Sequence, residues 1–289
     1  MTTSIKTFLL TCIAMTAFAG NSLLCRWALK DTCIDPASFT SIRIMSGALA
    51  LWIVFKLRNR MYPPHFVQSP MKGNYPSALA LFTYAIAFSY AYVNLSAGTG
   101  ALLLFASVQL TMIVYGLYNG ERLSMPQVLG LVIATTGVVW LLLPNVSAPH
   151  LTDSLLMLTA GVAWAIYSLR GKKATDAISV TTGNFVLANI FTAGFSMLLT
   201  EKMRMDITGI VLAATSGAIT SGVGYVIWYA ALKRLKITSA AIVQLSVPII
   251  AAVGGAIFLN DVITLRLLIA SVTTITGIGL VLMAGVKAV

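Results

Sequence analysis

The chain has 289 residues, of which 58% are hydrophobic and only 9% charged. Soluble domains carry roughly 25% charged residues, so this composition excludes a globule coated by charge and requires an integral membrane protein. The 19 basic and 8 acidic residues leave a net charge of +11, but the basic ones sit in short clusters between apolar runs, the pattern of loops at a membrane face, which excludes nucleic acid as a partner.

A membrane-spanning helix needs about 20 mainly apolar residues. An all-α protein of ten transmembrane helices is predicted, with spans at roughly 7–28, 37–56, 76–94, 98–118, 125–143, 153–170, 179–199, 207–231, 238–258 and 265–285. Before the first span Lys6 precedes an apolar run, and Ala17-Phe18-Ala19 imitates a secretory cleavage site. The apolar pattern continues to Leu29, longer than a signal core, so a retained span is expected. Cys12 and Cys25 lie 13 residues apart within it, about 20 Å on a helix and too far to bridge. With Cys33 they are expected to be free, buried thiols; no spacing suits a metal, and no cofactor is expected.

The segments between spans set the orientation. With the N-terminus in the cytoplasm, Lys6, Lys56, Arg58, Arg60, Lys72, Arg122, Arg170, Lys172, Lys173, Lys233, Arg234, Lys236 and Lys287 all fall on the cytoplasmic side. The outer side holds Lys30, Lys202, Arg204 and Arg266. This asymmetry puts both termini inside.

The stretch 96–142 is repeated 140 residues later, in 236–283. Each copy has a small-residue start, an apolar span, an acidic break and a second apolar span. Glu121 falls on Asp261, Leu123 on Ile263, Ser124 on Thr264 and Gly137 on Gly277. Repeats of this kind define the architecture: residues 1–145 and 146–289 read as two five-helix halves. An odd number of spans per half makes the second enter the membrane the other way up. Such inverted repeats are common in secondary transporters, whose binding site lies between the halves.

Several pieces in this order resemble the drug/metabolite transporter superfamily, specifically its ten-span EamA-type permeases. They are Phe18-Ala19-Gly20-Asn21, Arg43, Asn119-Gly120-Glu121-Arg122-Leu123, Trp164-Ala165-Ile166-Tyr167, Trp228-Tyr229-Ala230-Ala231-Leu232 and Pro248. The resemblance covers nearly the whole chain. It departs at Phe18-Ala19, where the family usually has Trp-Gly, at Val108, usually proline, and at Asp261, usually glutamate. It implies export or exchange of small metabolites, often amino acids or amphipathic compounds, through a central cavity.

Candidate substrate-binding residues come from alignment of the halves. An offset of 146 sets Phe18 on Trp164, Asn21 on Tyr167 and Ser22 on Ser168; within each span these are i, i+3 and i+4, so they share a face. Tyr225, Trp228 and Tyr229 have the same spacing, and the third span supplies Phe88 and Tyr92. Such faces suit a cavity better than lipid tails, although tyrosine and tryptophan also form interfacial belts, the role expected of Trp140 and Tyr62. Gln109 and Gln244 either contact ligand or tie helices together. Pro248 breaks the ladder in the middle of the ninth span, as a hinge or as an inert kink. Arg26 and Arg43 are charges within spans, functional by default; the alternative is that they snorkel at the outer ends of their helices, paired with Asp31 or Asp35.

These features favour a carrier that rocks one half against the other in a bacterial-type cytoplasmic (inner) membrane, as a monomer or homodimer, with a small-molecule substrate and the lipid bilayer as partners. Channel or receptor and intramembrane enzyme are the alternatives; for the last, His65 and His150 lie in loops without nearby acids, so no catalytic residue is assigned.

Overall fold

The computed structural model describes residues 3–61, 71–118, 123–143, 148–172, 174, 176–198, 203–235, 243–244 and 246–286. Among them no strand occurs. The helices are α1 (Thr3–Asp31), α2 (Pro36–Met61), α3 (Tyr75–Tyr92), α4 (Ala97–Tyr118), α5 (Met125–Leu142), α6 (Leu151–Lys172) and α7 (Ala177–Met197). Next come α8 (Ile207–Leu232), α9 (Ser246–Leu259) and α10 (Leu265–Val286). In the middle of α8, Ser216–Val223 winds as a π-helix.

Among the described residues seven helices, α1, α2 and α4 to α8, are long and apolar enough to cross a membrane, and Ser246–Leu259 and Leu265–Val281 are further apolar helical stretches. In α3, Tyr75, Tyr84, Tyr90 and Tyr92 dilute the apolar character. Polar side chains start the helices as the physics of unpaired N–H groups requires. Asp35 accepts from the N–H groups of Ala37 and Ser38, Asn74 from Ser77, Asp176 from Ile178 and Ser179, and Asp206 from Gly209. The repeat-related Ser124 and Thr264 both stand just before a helix: Gln127 Oε1 accepts from Ser124 N, and Thr264 Oγ1 accepts from Leu267 N.

Contacts between segments sort the helix ends into two groups. At one end of the bundle Asp35 accepts from Arg204 N at 2.8 Å, Asn94 donates to Asp153 at 2.9 Å, and Asp261 accepts from Ala97 N at 2.9 Å. At the other, Arg58 pairs with Asp176 at 2.8 Å, Asn184 accepts from Asn74 N at 3.1 Å, and Arg170 donates to Ser77 at 2.9 Å. Thus α1 finishes at the end where α6 starts. Glu121 lies outside the described residues.

Packing is heaviest between helices from opposite sides of residue 146. α5 lies along α10, α3 and α4 along α6, α2 along α7 and α8, α4 along α9, and α1 along α8 and α9. The repeat-related Gly137 and Gly277 serve the first of these contacts: a Cβ on Gly137 would meet Thr274 of α10, and one on Gly277 would meet the backbone of Ala134 in α5. Much of the packed core thus lies between helices of the two halves.

The cysteine expectation is corrected in part. All three are free, but only Cys25 is buried; Cys12 and Cys33 are exposed. Pro248 stands in a helical stretch in which Val243 and Gln244 are already helical ahead of Ser246–Leu259.

Candidate functional site

The site grows from Arg43, eight residues into α2 and 1% exposed. It does not snorkel. Its Nε donates to Ser221 Oγ at 3.0 Å, and its Nη2 donates to the hydroxyl oxygens of Tyr84 and Tyr225, each at 3.0 Å. The guanidinium also lies 5.1 Å from the ring centroid of Tyr84 and 5.0 Å from that of Phe88, where the negative faces of the rings attract it. Nη1 is buried without a partner. Among the described residues no carboxylate forms an ion pair with Arg43, and neither Asp31 nor Asp35 pairs with either intramembrane arginine.

Asn21 extends this network. Its Nδ2 donates to Tyr84 at 3.1 Å, and its Oδ1 accepts from Ser216 at 2.7 Å and from Thr220 and Ser221 at 3.3 Å. Ser216, Thr220 and Ser221 all lie in the π-helical stretch. A π-helix inserts an extra residue per turn and is common at functional sites; here it aims three hydroxyls at Asn21 and Arg43. Gly217 makes this approach possible, since a Cβ there would run into the carbonyl of Arg43.

Beside the network is an aromatic cage. The Phe18 ring lies 5.5 Å from Trp164, 5.6 Å from Trp228, 6.0 Å from Tyr225 and 6.5 Å from Phe105. Trp164 in turn stacks near Tyr84 and Tyr225, at 5.0 and 4.6 Å. Phe18, Asn21, Ser22, Tyr84, Phe88, Leu104, Phe105, Trp164 and Tyr225 enclose a cavity whose free volume is about 10 Å³, room for one water. The indole nitrogens of Trp164 and Trp228 are buried without partners.

Of the residues expected to bind substrate, Phe18, Asn21, Ser22, Phe88, Trp164 and Tyr225 therefore line one cavity, Trp228 backs it and Arg43 stands behind its tyrosines. Tyr167 and Tyr229 form a second layer: their rings are 5.9 Å apart and Tyr229 donates to Tyr167 O. Tyr92 turns away to Ala97 O at 3.2 Å, against Gly100. Gln109 and Gln244 are buried away from the cavity. Arg26 binds the carbonyls of Tyr92 and Val93 and lies 3.7 Å from Asp261, which also meets Lys30 at 3.5 Å. It is thus a tie at the bundle end. Sequence reasoning missed Tyr84, although it lies four residues before Phe88, on the same helical face.

Outside the helical spans, the bundle ends hold charged ties. Burial would raise Asp35, but hydrogen bonds from Ser38, Arg204 N and Ala37 N hold it below the ordinary carboxylate range. Against the same opposing effect, Arg58 and the N–H groups of Ser179 and Ile178 hold Asp176 down.

Comparison with known proteins adds a lineage to this geometry. The sequence profile of the EamA-like transporter family matches residues 5–143 and again residues 152–283. An uncharacterised protein of Pseudomonas aeruginosa is 48% identical over 277 residues, 96% of this chain and 94% of that one. A probable amino-acid metabolite efflux pump of Salmonella typhimurium is 24% identical over 219 residues, covering 71% of this chain and 73% of the pump. A crystal structure at 16% identity superposes with a TM-score of 0.67 over 99% of both chains, which shows a shared fold.

Proposed function

The chain belongs to the EamA-like transporter family, and from that premise we propose that this membrane transporter carries a small carboxylate metabolite, amino acids included, out of a bacterial cell by alternating access. The observation that carries this reading is Arg43: a fully buried guanidinium with an unpartnered Nη1 and, among the described residues, no ion-paired carboxylate, behind the wall of a central cavity. A buried charge is costly unless paired. A carboxylate entering the site would bring the missing acceptors in charge-assisted bonds, whereas a cation would be desolvated beside a like charge.

Ten spans in two inverted five-helix halves, with both termini cytoplasmic, complete the proposal. Support comes from the profile matching twice and from the opposite directions of α1 and α6. Because the halves interlock, the moving bodies would each mix them: α1 with α8 and α9, and α3 with α4 and α6. These two groups exchange under the repeat, and the cavity lies where they meet. The relative named as an amino-acid metabolite efflux pump favours export and an amino-acid-like cargo.

Flux of labelled amino acids in proteoliposomes tests this directly. Saturable uptake inhibited by carboxylates more strongly than by tetraphenylphosphonium is expected; the reverse order would make the substrate assignment wrong.

A further inference from the structure

Phe18 stands where a ligand's ring would stand. Its neighbours Phe105, Trp164, Tyr225 and Trp228 come from α4, α6 and α8, and three of the four meet its ring edge to face. Edge-to-face packing around a ring is how aromatic side chains recognise another aromatic group. The adjoining free volume, about 10 Å³, holds one water and no metabolite. Entry of any substrate therefore needs a wall to move.

The walls differ in what movement costs them. Tyr225 is bonded to Arg43 and Tyr84, and Trp164 is packed against Tyr84, Tyr167 and Tyr225. Phe18 has no polar atom to unpair. It is also the least buried ring of the cage, 6% exposed against 2% for Trp164 and 1% for Tyr225 and Trp228. On its own face of α1 it is flanked by Ala14 and Ser22, both small, and by Met15 and Asn21. A phenyl ring also leaves the cage unsatisfied, since the indole nitrogens of both Trp164 and Trp228, each in contact with it, lack acceptors.

We propose that Phe18 is a built-in occupant of the substrate's apolar subsite, and that the substrate class is carboxylates bearing an aromatic or similarly bulky apolar group. The proposal rests on the carboxylate reading above. On entry the substrate's ring takes the place of Phe18 and restores its dispersion contacts, while its polar groups meet the free donors of Trp164, Trp228 and Arg43. Phe18 thus sets both specificity and the energetic threshold for loading.

The test uses two pairs of probes that differ only by a ring: phenylalanine against alanine, and 3-phenyllactate against lactate. Binding and counterflow are measured for the wild type, Phe18→Ala, Phe18→Leu and Phe18→Trp in proteoliposomes. In the wild type the ring-bearing member of at least one pair should bind about tenfold more tightly. Phe18→Ala should strengthen that member by a further tenfold or so and leave its partner unchanged. Phe18→Trp, a larger occupant, should weaken it, and Phe18→Leu, chosen as a milder change that keeps the core filled, should fall between wild type and Phe18→Ala. A folded Phe18→Ala or Phe18→Leu protein with the wild-type ratio in both pairs overturns the role of Phe18 and leaves the carboxylate reading standing. A wild type that binds none of the four probes removes both.

Discussion

Arg43 Nη2 donates to the hydroxyl of Tyr225 at 3.0 Å, fastening α2 to α8 across the middle of the bundle. The same nitrogen reaches Tyr84, and Nε reaches Ser221, so one planar fork holds three elements. An ammonium is a point charge and cannot reproduce that fork. Arg43→Lys should therefore keep the charge but lose at least one charge-assisted bond, costing about 2 kcal/mol of stability. Transport should fall at least tenfold because Tyr84 and Tyr225 are no longer held. Thermal unfolding and flux on the same preparation check this. Wild-type flux in Arg43→Lys would show that charge alone matters.

The glycines supply an internally controlled prediction. A Cβ on Gly217 would strike the Arg43 carbonyl and Ser46, whereas one on Gly194 or Gly279 meets nothing within 4 Å. Gly217→Ala should destabilise by about 1–3 kcal/mol through overpacking. Gly194→Ala should stabilise by about 0.5–1 kcal/mol, since alanine is the better helix former. Opposite shifts in denaturation midpoint are the expected result.

Much of the fold was legible because helices in a membrane follow apolar length, and the described helices follow the expected spans in order. The aromatic faces around Phe18, Trp164 and Tyr225 were legible for a related reason: residues at i, i+3 and i+4 project together wherever the helix lies. What the sequence does not display is the partner of each face. Asp261 as the mate of Arg26 is separated from it by most of the chain, and nearer aspartates looked more plausible. The π-helix at Ser216–Val223 has no proline to announce it; it follows from the packing of Gly217 on α2 and the pull of Asn21 on three hydroxyls.

Asp261 should prove structural. It accepts from Ala97 N and neutralises the region of Arg26 and Lys30. Asp261→Asn leaves two cations without their acid at the bundle end. Melting temperature should drop by several degrees while the order of competing substrates stays unchanged. A change in that order with normal stability would move Asp261 into the transport machinery.

Acid stability follows from Asp35 and Asp176, both held below the ordinary carboxylate range in the folded protein. The unfolded chain then binds protons at a higher pH than the folded one, so their contribution is complete above roughly pH 4. It is lost as pH falls through the folded values. Arg58→Gln removes the ion pair to Asp176, so it should lower stability at pH 7 and flatten the acid dependence. Unfolding midpoints measured from pH 7 down to 3 read the slope.

The orientation prediction uses the two groups of helix ends. Cys33 is exposed beside Asp206, at the end that also carries Asp261. Arg170 lies at the opposite end, bonded to Ser77 and Asn74, in the set of basic residues expected to face the cytoplasm. With Cys12 and Cys25 replaced by serine, Cys33 should react with an impermeant maleimide added outside right-side-out vesicles. With Cys33 also removed, Arg170→Cys and Glu121→Cys should react only after the vesicles are opened, and Asp261→Cys from outside. The pattern tests the inverted repeat as well as the orientation, because Glu121 and Asp261 occupy equivalent positions in the two halves. Mirror-image labelling would reverse the orientation and keep the repeat. Labelling of positions 121 and 261 from the same side would end the inverted arrangement, since equivalent residues of inverted halves must emerge on opposite faces.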